Sequence, residues 1–381
     1  MPNVPPLRFP EFTGEWDKKQ LQEECNFFSG GTPSSSNKEY YEGDIPFIRS
    51  GEIDAQYTEL FLTQKGYNSS SAKMVDIGDI LLALYGATSG EIAISKMHGA
   101  INQAILCIRS PYNNVFVKSV WEKHVQHILQ TYLQGGQGNL SADIVKKLSF
   151  YFPSIREQNK ISKLIASIDK RISTQIRVID KLESLIKGIY NSILWREYKQ
   201  VSLSDIFIER NERTTSNNQY EVLSSTAKGL FRQADYFDKE VASANNVGYK
   251  VLRLGDVVLS PQNLWLGNIN YNDIFEIGIV SPSYKVFSIR KQFNPYYVSC
   301  FLKTHRALYE YANASEQGAS VVRRNLNLDA FMAITFLMPD KDIQDSVSKK
   351  LQAINKKLSV EKQIHDKLKE QKNYLLSQMF I

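Results

Sequence analysis

The sequence has few of the residues that build metal centres or covalent crosslinks. Its three cysteines, Cys25, Cys107 and Cys300, are far apart and odd in number, so neither a disulfide framework nor a thiolate zinc site is indicated. Five histidines are present, and the one close pair, His124 and His127, has no third ligand nearby. We therefore expect no metal site in this chain.

Long apolar runs and nucleotide-binding motifs are also missing. No apolar stretch reaches the roughly 20 residues that span a membrane, and the start, MPNVPPLRFPEF, lacks the basic-then-apolar order of a signal peptide. A cytoplasmic protein is expected. There is no GxxxxGK[ST] phosphate loop. Asn294-Pro295-Tyr296-Tyr297 approaches an adenine-methyltransferase motif but lacks its second proline, so we interpret it as a helix start.

One stretch, 154–195, is predicted to form a long helix. Ser154 and Glu157 have the spacing of a capping box directly after Pro153. Forty-odd residues at about 1.5 Å each give a rod of roughly 60 Å. Apolar residues then recur three or four apart, as in a coiled-coil seam: Ile161, Ile165, Ile168, Ile172, Ile176, Ile179, Leu182, Ile186, Ile189 and Ile193.

A second helix of the same kind is predicted at 340–381, after Pro339. Moving it back by 186 positions aligns the two without a gap, for example SKLIASIDKRIS with SKKLQAINKKLS. A repeat of this length indicates two copies of one unit. The second seam consists of Val347, Leu351, Ile354, Leu358, Leu368, Leu375 and Met379.

The segments before the two helices alternate short strands and turns in a similar order. VDIGDILLAL matches LRLGDVVLSP around Gly78-Asp79 and Gly255-Asp256. A short helix is predicted at about 18–25, a longer one at 116–134, and NPYYVSCFLKTHRALYEYA replaces the latter in the second half. The fold class is therefore α/β (α+β), with domains at 1–153 and 196–339 and two long antiparallel coiled-coil helices, 154–195 and 340–381, that join them.

This order of segments resembles the specificity subunit of type I restriction–modification systems. The resemblance rests on LRFPEFTGEW, the SGGTPS loop, GDILLALYGATSGEIAI, GIVSPSYKVF and the two long helices. It covers essentially the whole chain. It implies two target recognition domains, each of which binds one half of a split, asymmetric sequence in double-stranded DNA, and two helices that space them.

The same resemblance implies partners and the absence of catalysis in this chain. Two modification (methyltransferase) subunits would dock on the outer faces of the helices, and restriction subunits, which are ATP-dependent endonucleases, would join them. S-adenosylmethionine, ATP and Mg would be used by those partners. This chain would be a non-catalytic DNA-recognition subunit that binds no cofactor. The net charge of +6 permits a nucleic-acid partner without requiring one.

Candidate DNA-binding residues lie in the polar, glycine-punctuated loops, because Arg, Asn, Gln, Ser and Thr read base edges, while Arg, Lys and Tyr hold phosphates. Arg323-Arg324 is the strongest pair. In the first domain the candidates are Thr32, Ser34, Asn37, Arg49, Tyr85, Thr88, Ser89, Asn102, Gln103, Gln137 and Asn139. In the second they are Arg210, Arg213, Thr214, Asn217, Lys228, Gln262, Asn263, Ser283, Tyr284, Arg323 and Arg324.

Two other interpretations stay open at this point. A standalone DNA-binding or scaffold protein would share the fold but have no restriction partners. A methyltransferase or nuclease is disfavoured, because the sequence contains no cofactor motif.

Overall fold

The computed structural model describes residues 3–133, 139–194, 198–236, 245–317 and 324–381. The chain forms two compact units. Unit 1 comprises Met1–Ile179 and Val360–Ile381, and unit 2 comprises Asp180–Ser359. Each long helix therefore contributes residues to both units. Gln137, Trp195 and Arg323 lie outside the described residues.

The long helices begin close to the positions that the sequence predicts. The predicted stretches 154–195 and 340–381 correspond to α5 and α11. The helices are α1 (Leu21–Glu24), α2 (Gln64–Asn68), α3 (Asn114–Leu133), α4 (Ala142–Lys147), α5 (Ile155–Leu194), α6 (Leu203–Ile206), α7 (Gln233–Tyr236), α8 (Pro295–Phe301), α9 (His305–Asn313), α10 (Leu328–Ala333) and α11 (Lys341–Met379).

The strands of both units are short. In unit 1 they are β1 (Asp17–Gln20), β2 (Asn26–Ser29), β3 (Tyr41–Ile48), β4 (Phe61–Leu62), β5 (Lys73–Val75), β6 (Ile80–Ala83), β7 (Ile92–Ile94), β8 (Gly99–Ile101), β9 (Ile105–Arg109) and β10 (Ser149–Phe152). In unit 2 they are β11 (Lys199–Ser202), β12 (Phe207–Arg210), β13 (Leu223–Thr226), β14 (Gly229–Arg232), β15 (Lys250–Arg253), β16 (Val257–Leu259), β17 (Ile269–Tyr271), β18 (Ile277–Val280), β19 (Lys285–Ile289), β20 (Ser315–Gln317), β21 (Arg324–Leu326) and β22 (Thr335–Met338).

The sheets repeat between the units. Unit 1 has an antiparallel sheet in the order β2-β9-β6-β7 and unit 2 has β12-β19-β16-β17, while β1-β10 in unit 1 matches β11-β22 in unit 2. Unit 1 adds a sheet β4-β3-β8-β5, and unit 2 adds the pairs β13-β14, β15-β18 and β20-β21. The mixed α+β class and the repeated architecture with two long helices confirm the predicted fold class.

Both long helices pack against the sheet in the core of unit 1. Ile161 and Ile165 of α5 pack in one buried cluster with Leu376 and Met379 of α11 and with α3 residues such as Trp121. This packing removes much of the apolar seam from water, at about 25 cal/mol per Å² of apolar surface.

Ion pairs near that cluster show that the two helices run antiparallel within unit 1. Lys372 Nζ is 2.8 Å from Asp169 Oδ1 and 2.8 Å from Glu122 Oε2. Further along, Gln175 Nε2 donates to Glu361 O at 3.1 Å. Residue numbers fall along α5 as they rise along α11, so the two segments run in opposite directions.

The seam residues of α5 and α11 differ in their solvent exposure. Ile161, Ile165, Ile168, Leu351 and Leu368 are buried. Ile172, Ile179, Leu182, Val347, Ile354 and Leu358 are partly buried. Ile176 is exposed. The seam is therefore closed most tightly near the start of α5.

A buried glutamine in the first turn of α5 bonds to the residue that precedes α3. Gln158 is 1 % exposed, and its Nε2 donates to Pro153 O at 2.9 Å. Its Oε1 accepts from the main-chain N–H of Asn113 at 3.2 Å, at the start of α3. The two helix starts are thus joined through one side chain.

The same joint recurs in unit 2, 186 positions on. Gln344 is 2 % exposed, its Nε2 donates to Pro339 O at 2.8 Å, and its Oε1 accepts from the main-chain N–H of Asn294 at 2.9 Å. The glutamine and the proline that it bonds are both shifted by 186 positions between the units, whereas the main-chain partners Asn113 and Asn294 are 181 positions apart.

Two local predictions need correction. The helix expected at about 18–25 is strand β1 followed by the single turn α1, because residues 17–20 pair with β10. The single helix expected over the NPYYVSCFLKTHRALYEYA stretch is broken into α8 and α9. α8 ends at Phe301, and Thr304 caps α9, since its hydroxyl accepts from the N–H of Ala307 at 3.2 Å.

None of the helices in the described part of the chain is both long and apolar enough to span a membrane.

Candidate nucleic-acid interface

Three polar segments of unit 1 meet where β6 ends and β9 begins. The N–H of Leu84 donates to Ala104 O at 2.8 Å, and the N–H of Leu140 donates to Leu84 O at 3.1 Å. These bonds bring Tyr85, which is 38 % exposed, beside the loop of Gln103 and close to residue 139. Three candidate segments that are distant in sequence therefore share one end of the sheet.

The glycine loop before residue 32 joins the same place. The N–H of Gly31 donates to Ile101 O at 3.2 Å. A Cβ at Gly30 would lie 1.7 Å from Ile101 O, so only glycine permits this approach. The Thr32 hydroxyl then donates to Gln103 Oε1. We call this surface the unit 1 edge, and it consists of Thr32, Tyr85, Asn102, Gln103 and Asn139.

Other candidates of unit 1 have structural roles. Asn37 Oδ1 accepts from the N–H of Glu39 at 3.1 Å, and the Ser89 hydroxyl donates to Leu84 O at 2.9 Å. Arg49 Nη2 is 2.7 Å from Glu52 Oε1, and the hydrogen bond to Glu52 raises the pKa of Arg49. Ser34 is exposed beside Ser36, and Thr88 is half-buried.

A connected polar network forms the corresponding end of the unit 2 sheet, where β16 ends and β19 begins. The Tyr284 hydroxyl donates to Ser225 O at 3.4 Å. The Ser225 hydroxyl donates to Asn268 Oδ1 at 2.7 Å, and the N–H of Asn268 donates to Asn263 O at 3.3 Å. We call this surface the unit 2 edge, and it consists of Lys228, Gln262, Asn263, Ser283, Tyr284 and Arg324.

Arg324 is held in place on the unit 2 edge by stacking and by its main chain. Its guanidinium lies 4.4 Å from the centre of the Trp265 ring, and its N–H donates to Gln262 O at 3.2 Å. Nη1 makes a long bond, 3.4 Å, to Ala312 O. Among the described residues no carboxylate pairs with Arg324, so the edge of its guanidinium stays available for an outside acceptor.

Lys303, which lies between α8 and α9 and is exposed overall, supports the hairpin that carries Lys228 through its ammonium group. Lys303 Nζ donates to Asn270 Oδ1 at 2.6 Å and to Ala227 O at 3.2 Å, and Asn270 Nδ2 donates to Thr226 O at 2.9 Å. Burial lowers the pKa of Lys303. The sequence analysis missed Lys303 and Trp265, because nothing in a single sequence links positions 227, 270 and 303.

Four further candidates of unit 2 bond to other groups of this chain. Thr214 is 3 % exposed, and its hydroxyl donates to Asn246 O at 2.7 Å; its prediction as a DNA contact is wrong, because it is buried. Arg210 Nε is 3.2 Å from Asp256 Oδ1. Arg213 Nη1 donates to Gly248 O at 2.7 Å, and Asn217 Oδ1 accepts from the N–H of Asn246.

The described residues contain no group of three or more His, Cys, Asp or Glu side chains that could hold a metal ion. His124 Nδ1 instead lies 2.8 Å from Val120 O. Burial lowers the pKa of His124.

The family described as type I restriction modification DNA specificity domain matches residues 13–184. The type I restriction enzyme MjaIX specificity subunit of Methanocaldococcus jannaschii is 25 % identical over 256 residues, which is 64 % of this chain and 52 % of that protein. The EcoR124I/EcoR124II specificity subunit of Escherichia coli is 27 % identical over 43 % of each chain. These matches span about half the length of the curated relatives.

A solved structure has the same fold over nearly the whole chain. It is the crystal structure of a type I restriction-modification system S subunit from M. genitalium, with a TM-score of 0.63, 14 % identity, and coverage of 99 % of both chains. The sequence comparisons, together with this likeness of fold, confirm the resemblance predicted from the sequence.

Proposed function

We propose that this chain is the specificity subunit of a type I restriction–modification system, which reads a split, asymmetric DNA site and carries the catalytic subunits to it. The match of residues 13–184 to the type I restriction modification DNA specificity domain supports this proposal. In this proposal residues 1–153 and 196–339 are the recognition domains, and the two long helices set their spacing. The chain is the non-catalytic recognition subunit, and it acts in the cytoplasm. Double-stranded DNA, two modification subunits and the restriction subunits are its partners.

One observation carries the proposal. Each unit has its own four-stranded sheet with the same strand order, but the side chains at one end of that sheet differ between the units. The unit 1 edge and the unit 2 edge both lie where a central strand ends and its antiparallel neighbour begins. Their side chains differ, with Thr32, Tyr85 and Gln103 on one and Tyr284 and Arg324 on the other. Amide, hydroxyl and guanidinium groups of this kind read base edges.

The unit 2 edge favours guanine among the bases. A planar guanidinium that is fixed by stacking can donate two parallel hydrogen bonds to guanine O6 and N7. Arg324 has the required plane and no carboxylate partner among the described residues. The exposed Lys228, at the tip of a hairpin that Lys303 braces, is placed to bind a phosphate.

The test is to map the methylation that the chain directs. The full chain is expressed with the modification subunit of its own system in cells without other methyltransferases, and the genome is sequenced for methylated adenine. We expect one split motif with a fixed gap. Replacing residues 200–338 by the same segment of a relative should change one half of the motif only. Unmethylated DNA, or a change in both halves, would contradict the proposal.

The same test distinguishes the proposed function from a standalone DNA-binding protein. A standalone DNA-binding protein of the same fold would bind DNA but direct no methylation in the presence of the modification subunit.

A further inference from the structure

Lys250, the first residue of β15, has a buried side chain whose ammonium group lacks a hydrogen-bond acceptor. The side chain is 4 % exposed, and in the part of the chain that the structure describes its nearest carboxylate oxygen, Oε1 of Glu209, is 3.7 Å from Nζ. Lysine is rarely buried unless it is paired, because removing its charge from water is costly. Burial accordingly lowers the pKa of Lys250, and Glu209 offsets only part of that effect.

The carboxylate of Glu209 is shared with a second lysine. Lys285 Nζ donates to the same oxygen, Oε1, at 2.8 Å. The side chains of Lys285 and Glu209 are 31 % and 27 % exposed. The ammonium group of Lys250 therefore lies beside groups that reach solvent, although the rest of its side chain is covered.

A third cation lies opposite Lys250. Arg213 and Lys250 form an isolated antiparallel bridge, and main-chain hydrogen bonds of 2.9 and 3.0 Å flank it on its two sides. This is the pattern of a non-hydrogen-bonded pair, in which the facing side chains lie closest together. Like charges at such a pair are destabilising. The Arg213 guanidinium is held by its bond to Gly248 O.

The charges around Lys250 do not balance. Among the described residues, Glu209 is the only carboxylate within 4 Å of Lys250 or Lys285, so three cations share one anion. An excess of positive charge of this kind attracts an anion from outside the chain. The ion pairs nearby are balanced within themselves, and they are Arg210–Asp256 and Arg253–Glu212.

This group of charges lies at the same end of the sheet as the unit 2 edge. Lys285 is the first residue of β19 and pairs with Leu259, the last residue of β16. It directly follows Ser283 and Tyr284, which belong to the unit 2 edge. Glu209 lies near the end of β12, where β12 pairs with the start of β19. DNA on the unit 2 edge therefore brings backbone phosphates towards Lys285.

We propose that Lys250 and Lys285 form a binding site for one phosphate of the DNA backbone in the second half-site. A phosphate oxygen between the two ammonium groups supplies the acceptor that Lys250 lacks, and Arg213 adds to the positive potential without leaving Gly248. This inference rests on the proposed function, because it takes DNA on the unit 2 edge as the source of the phosphate.

The test compares DNA affinity with stability in variants of the full chain. Lys250→Met keeps the length of the side chain and removes its charge. The affinity of this variant for a random-sequence duplex, measured by fluorescence anisotropy, should fall at least about tenfold. The slope of log affinity against log salt should become shallower by about 0.9, the share of one phosphate. Its resistance to denaturant should stay equal or rise, because a buried charge without a close partner has been removed. Lys285→Met should also weaken binding.

Two matched variants should behave differently. Glu209→Gln removes the competing carboxylate, so it should bind the duplex more tightly and be less stable than the wild-type chain. Lys118→Met in unit 1 removes the same charge from a lysine that has two carboxylate partners, Glu122 at 2.6 Å and Asp169 at 3.5 Å. It should keep the wild-type DNA affinity and lose stability.

Three results would overturn the inference. Wild-type affinity and salt slope in Lys250→Met would show that Lys250 binds no phosphate. A less stable or unfolded Lys250→Met chain would assign Lys250 to a structural pair with Glu209. A changed methylated motif would show that Lys250 reads a base, since phosphate contacts carry no sequence information. The proposed function fails separately: if the wild-type chain directs no split motif, the random-sequence duplex still reports on the phosphate site.

Discussion

At the scale of single residues, two equivalent aspartates have opposite pKa shifts. Burial alone raises the pKa of Asp79, but hydrogen bonds from the Arg109 guanidinium, 2.7 Å at the shortest, and from the N–H of Asp76 hold it below the ordinary value. Asp256 is only 3 % exposed, and burial raises its pKa despite the bond from Arg253 and the charge of Arg210. The two-oxygen contact with Arg109 and the shallower burial of the Asp79 side chain, which is 14 % exposed, together account for the difference.

These shifts predict opposite pH dependence. The ionised Asp79 stabilises the fold above its unfolded pKa of about 3.9, and this is lost as the pH falls through its lower folded value. The contribution of Asp256 is greatest below about pH 3.9 and is lost as the pH rises through its raised folded pKa. We expect Asp79→Asn to cost about 1.5–3 kcal/mol at pH 7 and less at pH 3.5, and Asp256→Asn to cost less than half as much at pH 7. Chemical unfolding at both pH values measures this, and equal losses at pH 7 would contradict it.

Arg324 carries a prediction about sequence reading. Arg324→Ala and Arg324→Lys both lose the paired donors, so each should relax one base pair in the second half of the methylated motif, at a cost of about 1–3 kcal/mol in discrimination. Lysine should keep the overall affinity better, because it keeps the charge. Arg213→Lys, at an arginine that bonds Gly248 O, is the control and should leave the motif unchanged. A motif unaltered by Arg324→Ala would show that this side chain does not read a base.

At the scale of secondary-structure elements, Ile168 lies in the buried part of the α5 seam and is 4 % exposed. Ile168→Asp places an unpaired carboxylate there and should reduce the free energy of unfolding by about 3 kcal/mol or more. Ser167→Asp, one position away on the exposed face, should change stability by about 0.5 kcal/mol or less. The two variants are compared by denaturant unfolding. Equal stability would place the seam on another face of the helix.

The helices and the candidate surfaces also show how much of the structure could be predicted from the sequence. Periodicity and Pro153 and Pro339 place α5 and α11 within a residue or two of their bounds, because the pattern is long and local. The candidate surfaces depend on contacts between distant segments, such as Leu84 with Ala104 and Leu140. Hence Tyr85 and Gln103 could be named as polar loop residues but not placed together. Thr214 was misassigned, because a threonine in a polar loop gives no sign that its hydroxyl is buried.

At the scale of the whole molecule, the proposed spacing role of the helices predicts a change of gap. Four residues inserted near Thr174 lengthen α5 by about 6 Å and keep the seam nearly in phase. The preferred gap should grow by one or two base pairs, at about 3.4 Å each, and both half-site sequences should stay the same. Methylation of oligonucleotides that differ only in gap length measures this. A four-residue insertion after Tyr57, in an exposed loop of unit 1, is the control. An unchanged optimum with full activity would show that the helices do not set the gap.

The glutamine joint at the start of each long helix has a consequence for how such proteins diversify. What Gln158 and Gln344 accept from Asn113 and Asn294 is a main-chain N–H, a group that nearly every amino acid possesses. The side chain opposite the glutamine takes part as well, because Asn113 Nδ2 donates to Asn159 Oδ1 at 2.8 Å and Asn294 Nδ2 donates to Asp345 Oδ1 at 2.7 Å. If the recognition domains are exchanged between relatives, as the proposed function allows, we therefore expect an incoming domain to fit the long helix best when it keeps an asparagine at this position.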